Sequence, residues 1–140
     1  MNIDNLFKIG PKFDVPYELK DVVQDAFAGG SRIICEPAPM DTDLDIVVLI
    51  DSPKAVVELV GMGYLYHHES QVAYVGQKDP DDAFVSLRKG EVNLIVVWSR
   101  TGFERWRLYT EAATRLNLLN KSDRVKLAQV IRGFTPLKSI

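Results

Sequence analysis

The chain has 140 residues, 46% of them hydrophobic and 26% charged, the balance of an ordinary globular domain rather than a disordered or fibrous one. Its longest apolar runs, IVVLI and LIVVW, are far too short to span a bilayer, so no membrane partner is expected. The net charge of −2 conceals an asymmetry: residues 1–70 hold 5 Lys/Arg and 12 Asp/Glu, and residues 71–140 hold 12 and 7.

This length predicts one domain over 1–140. The core is expected at about 14–100 and a helical tail at about 101–134. The single Cys35 cannot close an internal disulfide, which points to a reducing compartment. MNIDNLFKIG lacks a basic segment followed by an apolar one, so no secretory signal is expected. Both features predict a cytoplasmic protein.

In chain order, residues 1–13 show no period and are expected to be irregular. VPYELKDVVQDAF spaces Tyr17, Val22, Val23, Ala26 and Phe27 as one helix face. Pro16 suits its first turn, and Gly29 and Gly30 would stop it. The end of this stretch, AFA, also reads as a short strand. RIIC is a short apolar run, and Pro37 and Pro39 place EPAP in a loop. LDIVVLI is rich in β-branched residues and almost continuously apolar, the mark of a strand buried on both faces.

Asp51-Ser52-Pro53 then opens a helix, with Ser52 as N-cap, Pro53 at the first helical position and KAVVELV as its body. Gly61 and Gly63 end it. Residues 64–82 are polar, aromatic and turn-prone, with QKDPDD as a loop. AFVSL and VNLIVVW read as an antiparallel hairpin around the tight turn RKGE. After Arg100 the period becomes helical, with Phe103, Trp106, Thr110, Ala113 and Leu116 on one stripe. A break follows at Asn120-Lys121, and Ser122 is expected to cap a last helix, DRVKLAQVIR, with Gly133 beyond it. The predicted class is α+β, a small mixed or antiparallel sheet with packed helices and a helical C-terminal tail.

The most informative stretch is GGSRIICEPAPMDTDLDI. Eleven residues separate Ser31 from Asp43, and Asp43 and Asp45 lead straight into the apolar strand, with Asp41 just before them. Alternation along a strand points Asp43 and Asp45 the same way, roughly 6.5 Å apart at Cα. Two carboxylates so close repel, and a divalent cation would relieve the repulsion. Mg²⁺ takes oxygen ligands, typically one or two carboxylates together with substrate phosphates. A Gly-Gly-Ser turn brings backbone N–H groups and a hydroxyl close to phosphate oxygens. Taken separately, Gly-Gly is usually a helix stop and Asp-x-Asp a solvated strand entrance.

This pattern resembles the DNA polymerase β-type nucleotidyltransferase superfamily. AGGSR followed by DTDLDIVV is similar to the segment that carries Gly-Gly and Asp-x-Asp in its tRNA CCA-adding and poly(A) polymerase branch. The chain also resembles small nucleotidyltransferase-like proteins of bacteriophages in VNLI at 92–95 and LNLLNKSDRV at 116–125. The resemblance implies that Asp43 and Asp45, with Asp41 as a further candidate, bind Mg²⁺ (or Mn²⁺). It implies that Gly29, Gly30, Ser31 and Arg32 hold the phosphates of a nucleoside triphosphate. A hydroxyl on RNA, protein or a small molecule would attack the α-phosphate and release pyrophosphate. Arg88 and Lys89, in the hairpin turn, form a cation pair expected near the triphosphate, or else an exposed turn.

The superfamily has a third carboxylate on a neighbouring strand, and the matching position here is Asn93. Asn cannot act as a base. Glu91, two residues earlier and on the same face by strand alternation, is the substitute candidate if the turn permits, and Asp41 a second. If neither serves, the chain is a catalytically inactive binding protein, for instance a phage factor acting on a host protein. Residues 100–138 carry 9 Lys/Arg against 3 Asp/Glu, a basic tail able to receive an RNA acceptor or simply a solvated surface. A metal role for His67-His68 has little support, because no Cys or paired acid lies near them in the sequence. Cys35, Phe103 and Trp106 read as core, and Trp98 as either core or a stacking surface.

Overall fold

Leu44–Leu49 forms strand β2, and its burial on both faces follows from its position inside a five-stranded sheet. In the computed structural model, residues 17–35, 44–67 and 79–131 are described. The other strands are β1 (Asp25–Gly29), β3 (Leu65–Tyr66), β4 (Phe84–Lys89) and β5 (Val92–Val97), in the spatial order β1-β2-β5-β4-β3. β2 runs parallel to β5 and antiparallel to β1, while β4 is antiparallel to both β5 and β3. The sheet is therefore mixed. The β4–β5 hairpin turns at Gly90, which supplies a φ of +59°. The predicted hairpin and the predicted α+β class are both present.

The first predicted helix is not formed. Only Tyr17–Leu19 makes a 3₁₀ turn, and Asp25–Gly29 is extended. A helix would have placed Ala26 and Phe27 on one face. Instead Ala26 packs into the core on one side of the sheet and Phe27 into the core on the other. Pairing with β2, from Asp25↔Leu49 to Gly29↔Asp45, overrides the helical spacing. The alternative reading of AFA as a strand is the one that holds.

Helix α1 is a single turn, Ser31–Ile34, covering most of RIIC. Helix α2 spans Lys54–Gly61, starting one residue later than expected. The Ser52 hydroxyl does not cap it; Pro53 occupies the cap with helical φ −59°, and the Ser52 carbonyl accepts from Ala55 N at 3.1 Å. Ala55 and Leu59 of α2, with Leu19, Val23 and Tyr64, cover one face of the sheet over Ile46, Val48, Leu94 and Val96.

Helix α3 (Arg100–Leu116) covers the other face with Phe103, Trp106, Tyr109 and Ala113, and helix α4 (Lys121–Ile131) adds Ala128. Phe27 meets Phe103 edge-on at 5.2 Å, and Phe84 meets Trp106 edge-on at 5.8 Å. Each fully buried Val, Leu, Ile or Phe contributes roughly 1.5–3 kcal/mol, so these two faces dominate the fold's stability. Leu116, the last residue of α3, does not join the predicted stripe and is exposed; Asn117, left-handed at φ +48°, ends the helix after it. Nor does Ser122 cap the last helix. It lies inside α4, and Asn120 Oδ1 accepts from Ser122 N at 2.8 Å. Gly133 lies outside the described residues.

Ser99 caps α3, its Oγ accepting from Gly102 N at 3.3 Å and donating to Asp81 Oδ1 at 3.0 Å. It thereby ties the 3₁₀ turn Pro80–Asp82, the end of the predicted QKDPDD loop, onto the helix start. Gly102 lets the two approach, since a Cβ there would stand 3.2 Å from the Asp81 carbonyl carbon and closer still to its oxygen. Ser99→Ala removes both bonds and is expected to cost about 1 kcal/mol in urea unfolding. An unchanged midpoint would show that the cap contributes nothing.

Candidate functional site

The sheet brings a single transverse row together at the end where β2 and β5 begin. Gly29 stands opposite Asp45, Asp45 opposite Asn93, and Asn93 opposite Arg88. Residues opposite one another share a face, so Asp45, Asn93 and Arg88 lie on the face that α3 covers further along.

The Gly-Gly turn closes one end of this row. Gly30 has φ +71°, and a Cβ there would stand only 2.8 Å from Asp45 Cγ and 2.9 Å from Asp45 Cβ. Only glycine allows this approach. A Cβ on Gly29 would lie 3.2 Å from Thr110 Oγ1, so α3 closes in on the same turn. The Gly30 carbonyl accepts from Ile33 N and Ile34 N at 3.1 and 2.9 Å, which begins α1.

Across the row, Asn93 Nδ2 donates to Asp45 Oδ1 at 3.1 Å, and Ser86 Oγ donates to Asn93 Oδ1 at 2.8 Å. Ser86 and Asn93 are both buried. Arg88 Nη1 lies 3.1 Å from His67 Nε2, and because a guanidinium only donates, that imidazole nitrogen accepts. His67 N donates to the Ser86 carbonyl at 2.8 Å, which ties the segment after β3 to the same end of the sheet.

The sequence candidates divide. Gly29, Gly30, Asp45, Asn93 and Arg88 are brought together. Lys89 is not: by alternation it faces the other side, where Nζ lies 3.6 Å from Glu18 and 5.4 Å from the Tyr64 ring. There the Tyr64 hydroxyl donates to Glu18 at 2.9 Å, and burial, reinforced by that carboxylate, raises its pKa well above the ordinary tyrosine range. Glu91 is an exposed turn residue before β5, so strand alternation does not fix its direction. Its carbonyl accepts from Leu44 N at 2.8 Å and ties the turn to the start of β2. Ser31 opens α1. Asp41 and Asp43 lie outside the described residues, as does His68.

Sequence reading passed over Ser86, Thr110 and His67 as site residues. Ser86 had a signal: it is the one hydroxyl in the otherwise apolar run AFVSL. His67 had none, since its partner lies 21 residues away. Cys35 is buried, with Sγ 3.5 Å from Arg124 Nη1. Phe103 and Trp106 are core as expected, while Trp98 is 47% exposed.

Among the described residues, no group of three His, Cys, Asp or Glu is arranged to hold a metal, and no helix is long and apolar enough to cross a membrane. No known family model matches the chain, and no curated protein does either. Among solved structures it is similar to the conserved protein GrpB from Enterococcus faecalis. The identity is 16% over 81% of this chain and 83% of that one, with a TM-score of 0.47. A likeness at that level decides nothing about chemistry, and the functional reading rests on the row itself.

Proposed function

We propose that this chain is a nucleotidyltransferase-like domain that binds a nucleoside triphosphate together with Mg²⁺ or Mn²⁺. The carrying observation is the contact of Gly30 with Asp45, which sets a glycine turn suited to phosphate oxygens directly against a carboxylate suited to a cation. Asp45 and Asp43 would hold the ion, with Asp41 as a further ligand. The Gly29-Gly30 backbone, Ser31 and Arg32 would hold phosphates, and Arg88 adds a cation on the same row. The donor set supports one ion on β2. It does not support a second ion bridged to β5, where Asn93 turns N–H groups toward Asp45. When bound, the ion would offset the triphosphate charge and draw electron density from the α-phosphorus.

In the transfer reading, an acceptor hydroxyl on RNA, protein or a small molecule loses its proton and forms a bond to the α-phosphorus. The bond to the bridging oxygen breaks and pyrophosphate leaves. Glu91 is the first candidate base and Asp41 the second. The second reading, binding without turnover, is favoured by Asn93, which is no base and is hydrogen-bonded to both Ser86 and Asp45.

The test is thermal melting of the wild type with each Mg-NTP, followed by incubation with α-labelled NTP, Mg²⁺ and whole-cell RNA and protein. A rise in melting temperature supports binding, and a labelled species with released pyrophosphate supports transfer. No rise with any NTP would overturn both readings.

A further inference from the structure

The direction of each hydrogen bond in the row follows from its end member. An ionised carboxylate only accepts, so the Asn93 atom beside Asp45 is the amide nitrogen. The Asn93 oxygen then faces Ser86, whose hydroxyl must donate. Reversing the amide would set lone pairs against Asp45. Ser86 is wholly buried and Asn93 is 4% exposed, so water does not compete for the bond between them.

The row therefore has a polarity: hydroxyl to amide oxygen, amide nitrogen to carboxylate. Asn93 presents hydrogens to Asp45 and no oxygen. A hard divalent cation takes only oxygen ligands here, so an ion on Asp45 gains no ligand from β5.

We infer that Ser86 and Asn93 are positioning residues. They hold one oxygen of Asp45 in a fixed orientation beside Gly30, and they confine any divalent cation to the β2 side of the row. This rests on the nucleotide-binding reading of the same site, and it adds two residues to it.

Titration with Mn²⁺ alone tests it. Asn93→Asp exchanges a donor for a carboxylate at 3.1 Å from Asp45, with Ser86 still in place to orient it. Mn²⁺ affinity is expected to rise at least tenfold, a gain that mere loss of packing would not give. A wild type that binds Mn²⁺ as tightly as Asn93→Asp would overturn the inference. Should Asn93→Asp fail to fold, the side-chain amide of Asn93 is read in the wild type by NMR. Its two protons should exchange with solvent at least tenfold more slowly than those of the exposed Asn120, and the protection should vanish in Asp45→Ala. Exchange as fast as at Asn120 would overturn the inference. Mg-NTP melting on the same sample separates the two readings. Amide protection without any NTP shift would leave the positioning intact and overturn nucleotide binding. An NTP shift without protection would do the reverse.

Discussion

Gly30→Val is expected to lower unfolding stability by about 3 kcal/mol or more and to abolish any Mg-NTP-dependent rise in melting temperature. Two effects add. A β-branched residue at φ +71° is strained by about 1–2 kcal/mol. Its Cβ would also stand 2.8 Å from Asp45 Cγ. Asp45 cannot retreat cheaply, because its strand is paired on both sides and its carboxylate is held by Asn93. Displacing it leaves the buried Asn93 amide without an acceptor, worth about 1–3 kcal/mol more. Gly90 provides the control, with φ +59° and open space around the missing Cβ. Gly90→Val should show the backbone strain alone. Equal losses at the two glycines in denaturant unfolding would show that the approach of Gly30 to Asp45 has no energetic weight.

Arg105→Met is expected to cost about 3 kcal/mol, since breaking a buried ion pair from one side typically costs 3–5. Arg105 Nη1 lies 2.8 Å from Asp82 Oδ2 and 2.9 Å from Asp79 Oδ2, and Asp82 is wholly buried beneath α3. The methionine keeps much of the side-chain packing but takes the guanidinium away from a carboxylate out of reach of water. Adding Asp82→Asn should restore part of the loss, because it removes the buried charge. A single variant as stable as the wild type would show that the pair is offset by its own desolvation.

Acid dependence follows from Asp79. Its carboxyl is held below the usual carboxylate range, first by the Asp81 backbone N–H at 2.9 Å and then by the Arg105 guanidinium. A lowered folded-state pKa stabilises the fold above the unfolded value of 3.8 and loses that effect as pH falls through the folded value. Melting temperature should therefore fall below about pH 4 in the wild type, and less steeply in Asp79→Asn. Parallel acid limbs would remove Asp79 from the account.

Much of the architecture was legible because its signals are local. LDIVVLI reads as a doubly buried strand from its composition, the β4–β5 hairpin from its turn, and α3 from the spacing of Phe103, Trp106 and Ala113. The first helix was misread for a physical reason. Ala26 and Phe27 fit a helix face, but the same five residues also fit the edge of a sheet. Which state forms depends on whether β2 lies alongside, a contact that no local window contains. Leu116 is inside α3 but rotated away from the face that carries Phe103 and Thr110, so it stays exposed.

At the site the division is similar. Residue order alone put a glycine turn eleven residues before an acid pair and set that pair at the mouth of an apolar strand. It also put Asn93 in the apolar run that follows the RKGE turn. Hydrophobic pattern and turn chemistry are enough for that much, because both act between near neighbours. Only the tertiary structure decided that Gly30 touches Asp45, that Lys89 turns to the opposite face while Arg88 stays, and that Asp45 governs which way the Asn93 amide points, with Ser86 donating to its oxygen. Those outcomes rest on strand order and register. Register is set by burying both faces of the sheet at once, and a shift of one residue would have moved Asp45 and Arg88 to the other side.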